Sequence, residues 1–590
     1  METLLQKMTA AAGAAFQSCG IDPALGKVNV SNRPDLCEYQ CNGALAAAKQ
    51  LHKNPLEIAE NVAAILKTDP LFEKAEAVRP GFINLTLAPE AVADYLNERR
   101  SDVRLGAKAL GEGKTIILDY GGANVAKPLH VGHLRSAIIG EALKRICRFL
   151  GFNAVGDVHL GDWGLQMGLI IEELKLRQPE LPYFDPEHTG PYPAEAPFTI
   201  GDLEEIYPTA SAKSKEDAEF AAKAHEATFR LQNGDPGYTA LFRHIVNVSV
   251  ADLKKNYGNL NVTFDLWKGE SDAQAYIPAM MEGFREKGIL KESEGALVID
   301  VAEESDTKEI PPCLVQKSDG AYLYATTDLA TIVQREADYH PDEYFYVTDK
   351  RQAMHFLQVF RAARKAGLVR DDCVMTHLGF GTMNGKDGKP FKTRSGGVMR
   401  LEYLLDDVAS AVYERMAASD MPEEEKRRVA KTVGLAALKY GDLSNQATKD
   451  YIFDTERFTS FEGNTGPYIL YTIVRIGSIL NRYTAAEGVA ADELPTEIRP
   501  AGDAGEKELQ RLLCGAGEVI EAAYAEKAPH KLCLYIYDVA NAFNSFYHEH
   551  RILTEEDEAK KASWIALLGE TKRVLSVMIG LLGFEAPERM

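Results

Sequence analysis

Between Thr115 and Val158 the chain reads as a short strand, a glycine- and proline-marked loop, a long amphipathic helix and a second strand, a succession that points to a parallel α/β sheet. Thr115 to Asp119 is an apolar, β-rich run, and Asn153 to Val158 is the next one. From Leu134 to Gly151, Ile138, Ile139, Ala142, Leu143, Ile146, Phe149 and Leu150 recur at helical spacing. The loop between carries Asn124-Val125-Ala126-Lys127-Pro128-Leu129 and then His130-Val131-Gly132-His133. A helix that opens there offers free backbone N–H groups to a phosphate. His130 and His133 add imidazole donors, Lys127 and Arg135 add positive charge, and Gly132, lacking Cβ, lets a purine approach the backbone. With 13 His and 47 Gly in 590 residues, a His-x-Gly-His string arises in ~2% of shuffled chains, so its strand-loop-helix setting is what makes it a nucleotide site.

The length suggests three or four domains, and an apolar fraction of 45% is ample for several cores. No apolar run approaches the ~18 residues needed to span a bilayer, and the first residues lack a basic stretch before an apolar one, so a cytoplasmic protein without a membrane partner is expected. The eight cysteines are scattered, as reduced thiols are. Cys37 and Cys41, with His52 nearby, lack the second Cys/His pair that would complete four zinc ligands, so no metal site is expected. A net charge of −21 argues against indiscriminate binding of polyanions and leaves room only for a local basic track.

Residues 1 to 110 mix helical patterns (Thr9 to Cys19, Gly43 to Leu51, Pro55 to Lys67) with short strands near Leu36 to Gln40 and Gly81 to Leu87, as in a small α+β domain. From 111 to 400 the alternation predicts a doubly wound parallel sheet in two halves, separated by an insertion at about 175–260 with a Pro/Tyr-rich run and a charged helical pattern. Sheet-like signals resume at Thr263 to Trp267, Ala296 to Val301, Tyr322 to Ala325, Glu343 to Val347 and Cys373 to Leu378. After 400 the chain turns helical, with 401–455 as a connecting region and 456–590 as a bundle, broken by a solvated loop from Thr484 to Gly505.

Taken together these residues resemble a class I aminoacyl-tRNA synthetase, most closely an arginyl-tRNA synthetase of bacterial type, over nearly the whole chain. His130-Val131-Gly132-His133 is similar to the HIGH signature, and Asn124 to Pro128 to its arginyl-type lead-in. Asp157 to Gln166, Asp319 to Ala330, Phe461 to Tyr468 and the ending Pro587-Glu588-Arg589-Met590 resemble further segments of that family. The resemblance implies a Rossmann-like catalytic domain (111–400), an additional tRNA-binding α+β domain at the N-terminus (1–110) and an all-α anticodon-binding bundle (456–590). It implies ATP with Mg²⁺, L-arginine and tRNA(Arg) as reactants and partners, and a monomer. The Leu532, Tyr535, Ile536, Val539, Phe543, Phe546 and Tyr547 series should be mostly core, with only exposed Tyr, Phe or Asn free to meet anticodon bases.

The same resemblance distributes roles. His130 and His133 hold the triphosphate, with Gly132 under the adenine and Gly379 beside the nucleotide. The KMSKS position falls near 380–397 and departs from the pattern: Lys389, Lys392 and Arg394 are the basic candidates there, and Lys127 is the family's substitute for the missing charge. Arginine itself falls to Asp328 for the guanidinium, Tyr324 for stacking, Gln352, Asn124, His159, and Glu270 near the substrate amino group. The four-residue separation of Tyr324 and Asp328 puts both on one side of a helix if one begins there; read without the resemblance, Asp328 is equally a helix N-cap. Tyr39, Gln40, Asn42, Asn84, Asn464, Tyr547 and Met590 are the tRNA-facing candidates.

Other readings have distinct marks. A cysteinyl enzyme needs a pocket zinc with Cys/His ligands, a nucleotidylyltransferase needs no long helical C-terminal region, and a non-charging paralogue would be expected to have lost some of His130, His133, Lys127, Tyr324 and Asp328.

Overall fold

The computed structural model describes residues 2–33, 35–391, 399–417 and 419–590. It divides into two compact units. One runs over Leu110–Thr459 and takes in Leu582–Phe584; the other comprises the chain up to Ala109 together with Ser460–Leu581 and Glu585–Met590.

The first unit is built on a four-stranded parallel sheet: β1 (Thr115–Asp119), β2 (Asn153–Asp157), β3 (Glu343–Asp349) and β4 (Val374–Phe380), in the order β4-β3-β1-β2. Ile116, Ile117 and Leu118 are all fully buried, as expected of a central strand covered on both faces. Helix α1 (Val131–Phe149) crosses between β1 and β2. It lies so close to Tyr120 that a Cβ at Gly140 would sit 2.2 Å from the ring, which explains a glycine mid-helix despite its low propensity. After β2, helix α2 (Leu165–Arg177) and helices Ile200–Glu216, Ala218–Gln232 and Pro236–Asn259 enclose a separate core of Met167, Ile170, Ile171, Leu203, Ile206, Tyr238 and Leu241. The second half of the sheet follows, with α3 (Tyr324–Tyr339) before β3 and α4 (Ala353–Lys365) before β4.

Three expected strands take other forms. Thr263 to Trp267 runs beside the end of β2 through the isolated bridges Asp157–Leu266 and Leu160–Gly269, without becoming a strand. Ala296–Ile299 is a strand, but of a small antiparallel sheet with Leu290–Ser293 and Cys313–Gln316. Its two-residue turn, Glu294-Gly295, has φ of 53° and 78°, the signature of a tight hairpin that local turn chemistry favours over a crossover. Tyr322 to Ala325 instead opens α3, where buried Thr326 donates its hydroxyl to the Val315 carbonyl and moors the helix start to the hairpin sheet. Leu323, not Asp328, is the N-cap.

The second unit holds an antiparallel sheet of Val28–Val30, Tyr39–Cys41, Phe82–Leu87 and Phe72–Val78, in that order, with helices that include Leu4–Ser18, Pro55–Leu66 and Pro89–Arg99. The helices Gly466–Glu487, Ala504–Cys514, His530–Glu549 and Glu558–Leu581 complete it. Leu532, Tyr535, Ile536, Val539, Phe543 and Phe546 are its buried stripe, as their spacing predicts. Arg99, fully buried, donates to Glu570 Oε1 at 2.6 Å and to the Leu513 carbonyl at 2.7 Å, so residues from both ends of the chain share one interior. All eight cysteines are free thiols; Cys37 and Cys41 point their sulfurs at Ser31 and the Leu25 carbonyl. Among the described residues, no helix is long and apolar enough to cross a membrane.

Candidate active site

A cavity of about 450 Å³ opens over the carboxyl ends of the parallel strands. In a doubly wound sheet that is where loops diverge and ligands lodge. Asp119 to Gly122 and Val347 to Asp349 form its floor, α1 contributes Gly132, His133 and Ser136, and α3 contributes Tyr324 and Asp328. His159, Glu270, Gln352 and His355 close the sides.

The floor is held by buried polar groups. The Arg335 guanidinium donates to Asp119 Oδ2 at 2.6 Å, Asp157 Oδ2 at 2.8 Å and the Tyr346 hydroxyl at 3.2 Å, tying α3 to the ends of β1 and β2 and to β3. Ser136 donates to the Val347 carbonyl at 2.6 Å and accepts the Gly121 N–H at 2.8 Å. Arg135 reaches the other way, to Asp442 and to the carbonyls of Gly381 and Lys449.

At the mouth of α1, His130 is the N-cap, and its Nδ1 accepts the Gly132 N–H at 3.0 Å while its own N–H donates to His133 Nδ1 at 3.2 Å. With both Nδ1 atoms accepting, the protons sit on both Nε2 atoms, giving two N–H donors at a helix N-terminus. The rings lie 4.0 Å apart. Burial, then the neighbouring His130 and Lys127, pushes His133 down to about 3, and burial and Lys127 push His130 down as well. Both therefore act as neutral donors at physiological pH. A Cβ at Gly132 would lie 2.7 Å from His130 Cε1, so this glycine serves the cap of its neighbour as well as any base laid over it.

Tyr324 and Asp328, also lining the cavity, stand one turn apart on α3, and Tyr324 is 71% exposed. A carboxylate beside an open aromatic face is a receptor for a planar cation. Glu270, on the short helix packed against α3, is pushed up to about 7, chiefly by burial and also by Asp162 and Asp328, with His159 opposing. Asp162 accepts from Ser271 N at 2.9 Å and Ser271 Oγ at 2.6 Å and so fixes the loop that carries Glu270. His159 has φ of 42° and a buried Nδ1 without a hydrogen-bond partner among the described residues, two marks of a side chain placed for a ligand.

Of the expected substrate residues, Gly132, His133, His159, Glu270, Tyr324, Asp328 and Gln352 line this cavity. Asn124 and Lys127 line a second one of about 870 Å³, which shares Glu270 and Tyr324 with it; there the Lys127 ammonium lies 4.6 Å over the Tyr207 ring. Gly379 lies on β4 with its Cα hydrogens against Lys350, and it is Phe380 that reaches the cavity. Lys389 is exposed on a tight turn, its N–H held by Asp387 at 3.1 Å. Lys392 and Arg394 lie outside the described residues. His355, on the Asp328 carboxylate, was not expected; its i, i+3 relation to Gln352 at the start of α4 is the only sequence mark of it.

In the other unit, Gln40 donates to Asn84 at 2.9 Å across paired strands; Asn84 is itself buried and so supports Gln40 instead of facing a ligand, and Asn42 is exposed. Tyr39 corrects the expectation: the alternation of its strand turns it inward, it is buried, and burial raises its hydroxyl far above the ordinary range. Asn464 is exposed just ahead of helix Gly466–Glu487, Met590 is half-buried, and Tyr547 is half-exposed with the Arg475 guanidinium 5.5 Å over its ring. Arg475 also lies 4.7 Å over the exposed Tyr471 and donates to Asn544 at 2.7 Å. The sequence reading missed this cluster, although an aromatic and an arginine four apart on one helix face announce it.

Residues 96–455 match the family profile described as tRNA synthetases class I (R), catalytic domain. The chain belongs to the arginyl-type class I tRNA synthetases. Further profiles match at residues 2–87, the arginyl tRNA synthetase N terminal domain, and 469–590, the DALR anticodon binding domain. Among relatives of this family, a protein named arginine–tRNA ligase from Agathobacter rectalis is 58% identical with all of both chains covered, and one from Alkaliphilus oremlandii is 54% identical, again over the full length of both. Among solved structures, an arginyl-tRNA synthetase from Plasmodium falciparum superposes with a TM-score of 0.79 at 24% identity, covering all of both chains. That of Thermus thermophilus gives 0.77 at 22%, covering 99% of this chain and all of the other. The parallel sheet, the N-terminal α+β region and the helical C-terminal region are thus the fold of the arginyl-type synthetases.

Proposed function

We propose that the chain is an arginine–tRNA ligase, joining the carboxylate of L-arginine to the α-phosphate of ATP with release of diphosphate, then passing the arginyl group to the terminal ribose of tRNA(Arg) with release of AMP. The observation that carries the reading is one cavity that opposes a guanidinium receptor, Tyr324 with Asp328, to a phosphate receptor, the α1 N-terminus with His133 and its neighbour His130. Catalysis of such a transfer rests on positioning and on donors aimed at developing charge, and no covalent nucleophile is required.

In this reading Asp328 takes the guanidinium, Tyr324 stacks on it and Gln352 adds a side-chain contact, while Glu270 and Asn124 attend the α-amino end beside His159. His130 and His133 hold the phosphates, Gly132 and Gly379 lie along the nucleotide, and Mg²⁺ enters with ATP to offset its charge. Lys127, with Lys389, Lys392 and Arg394 as the basic residues of the 380–397 segment, supplies positive charge to the leaving diphosphate. Gln40, Asn42, Asn464, Tyr547 and Met590 meet the tRNA, joined by Tyr471 and Arg475, while Asn84 holds the Gln40 side chain in place. The enzyme works as a cytoplasmic monomer, where tRNA is charged.

The test is arginine-dependent exchange of labelled diphosphate into ATP with tRNA present. Arginine is expected to support it, and lysine and citrulline are not. Asp328→Ala is expected to lower kcat/KM for arginine by about 100-fold or more, with the KM for ATP within about twofold, since an unmatched guanidinium is costly to desolvate. Exchange that is indifferent to arginine, or unchanged by that substitution, contradicts the assignment.

A further inference from the structure

The Asp328 carboxylate is not bare. His355 Nε2 lies 2.6 Å from its Oδ2, with the two side chains 31% and 18% exposed, and both line the same cavity. The partners come from different helices, Asp328 from α3 and His355 from the first turn of α4. The imidazole is itself held: its ring meets Phe356 edge-on at 5.1 Å, and Phe356 stacks on His377 at 5.0 Å, whose Nε2 lies 2.8 Å from the Thr348 hydroxyl on β3. The chain from β3 and β4 through Phe356 to His355 thus ends on one oxygen of the acceptor carboxylate.

A carboxylate has two oxygens and about four lone-pair directions, and a free aspartate turns readily about its terminal bond. A guanidinium fork needs both oxygens in one plane facing it, whereas an ammonium needs only one. A hydrogen bond from His355 to Oδ2 restrains that rotation and leaves Oδ1 and a second lone pair of Oδ2 for the incoming ligand.

We infer that His355 is a positioning residue for the amino-acid substrate, setting the plane of the Asp328 carboxylate so that it receives a guanidinium in two parallel hydrogen bonds. This rests on the arginine reading of the cavity. His355 touches neither ATP nor the reacting carboxylate in that arrangement; it acts through Asp328. Selection among cations is its contribution, favouring a planar fork over a compact ammonium.

The experiment measures KM and kcat for arginine and KM for ATP in diphosphate exchange with tRNA present, for the wild type, His355→Ala, His355→Gln and Asp328→Asn, and the double variant His355→Ala with Asp328→Asn. His355→Ala is expected to raise the KM for arginine about 10- to 100-fold while kcat and the KM for ATP stay within about threefold. His355→Gln, whose amide N–H reaches nearly as far as Nε2–H, is expected to recover most of that loss. In the Asp328→Asn background His355→Ala is expected to add little, because the two act as a unit. Preference for arginine over lysine is expected to fall in parallel with the KM effect. An unchanged KM for arginine in His355→Ala, an equal rise in the KM for ATP, failure of the glutamine variant to recover, or full additivity of the double variant overturns the inference. Wild-type enzyme that ignores arginine removes the reading beneath it, and the inference falls with that reading; wild-type enzyme that uses arginine while His355→Ala is indistinguishable from it sinks the inference alone.

Discussion

Glu270 illustrates how a single environment sets a residue's work. Burial holds its carboxyl up to about 7, so it is neutral below that pH and charged above it. If the charged form attracts the substrate ammonium, the KM for arginine falls as pH rises from about 6 to about 8, by roughly tenfold, the size of a partly screened charge pair. Steady-state kinetics across that range check it, and Glu270→Gln is expected to be flat and high; a flat wild-type profile would refute the role. At this scale the sequence was most legible where functional side chains share one element. Tyr324 and Asp328 are four residues apart on α3 and meet in one cavity. His355 joins Asp328 across 27 residues and two helices, and no local spacing encodes such a partnership. Lys127 was legible as a basic residue, but its rest over the Tyr207 ring comes from a helix some 80 residues on and could not be read locally.

Among the elements, α3 carries Tyr324 and Asp328 into the cavity and is held there by Arg335, which is 2% exposed and shared between Asp119 and Asp157. Arg335→Met removes the cation from buried Asp157 and partly buried Asp119 and is expected to destabilise the unit by about 3–5 kcal/mol, since removing one partner of a buried pair leaves the other uncompensated. Thermal or denaturant unfolding of the purified variant measures this; a loss below about 1 kcal/mol would show that the network is solvated and not structural. The β1-α1-β2 unit was readable because three consecutive apolar residues, a capped loop and helical spacing agree. The later strands were less so: Tyr322 to Ala325 has strand-like composition, yet the Thr326 bond to Val315 starts a helix there, and Thr263 to Trp267 lacks neighbours enough to form a ladder. Tertiary partners decided both.

For the molecule as a whole, the packing of the two chain ends into one compact unit is invisible to a reading that proceeds along the sequence, because no local pattern encodes contacts some 400 residues apart. Arg99 is the residue that shows it, reaching Glu570 and the Leu513 carbonyl. Arg99→Met is expected to cost that unit about 1–3 kcal/mol, less than a fully orphaned pair because Arg573 still holds Glu570 at 2.7 Å, and to raise the KM for tRNA while leaving those for ATP and arginine unchanged. Calorimetry and charging kinetics would expose the opposite pattern, a change confined to the small substrates. The central claim, a pocket for arginine and a partner in tRNA, is tested most directly by charging total bacterial tRNA with ATP and Mg²⁺ against a panel of all the standard labelled amino acids. Label from arginine alone is the predicted result; label from another amino acid, or from none, would contradict it.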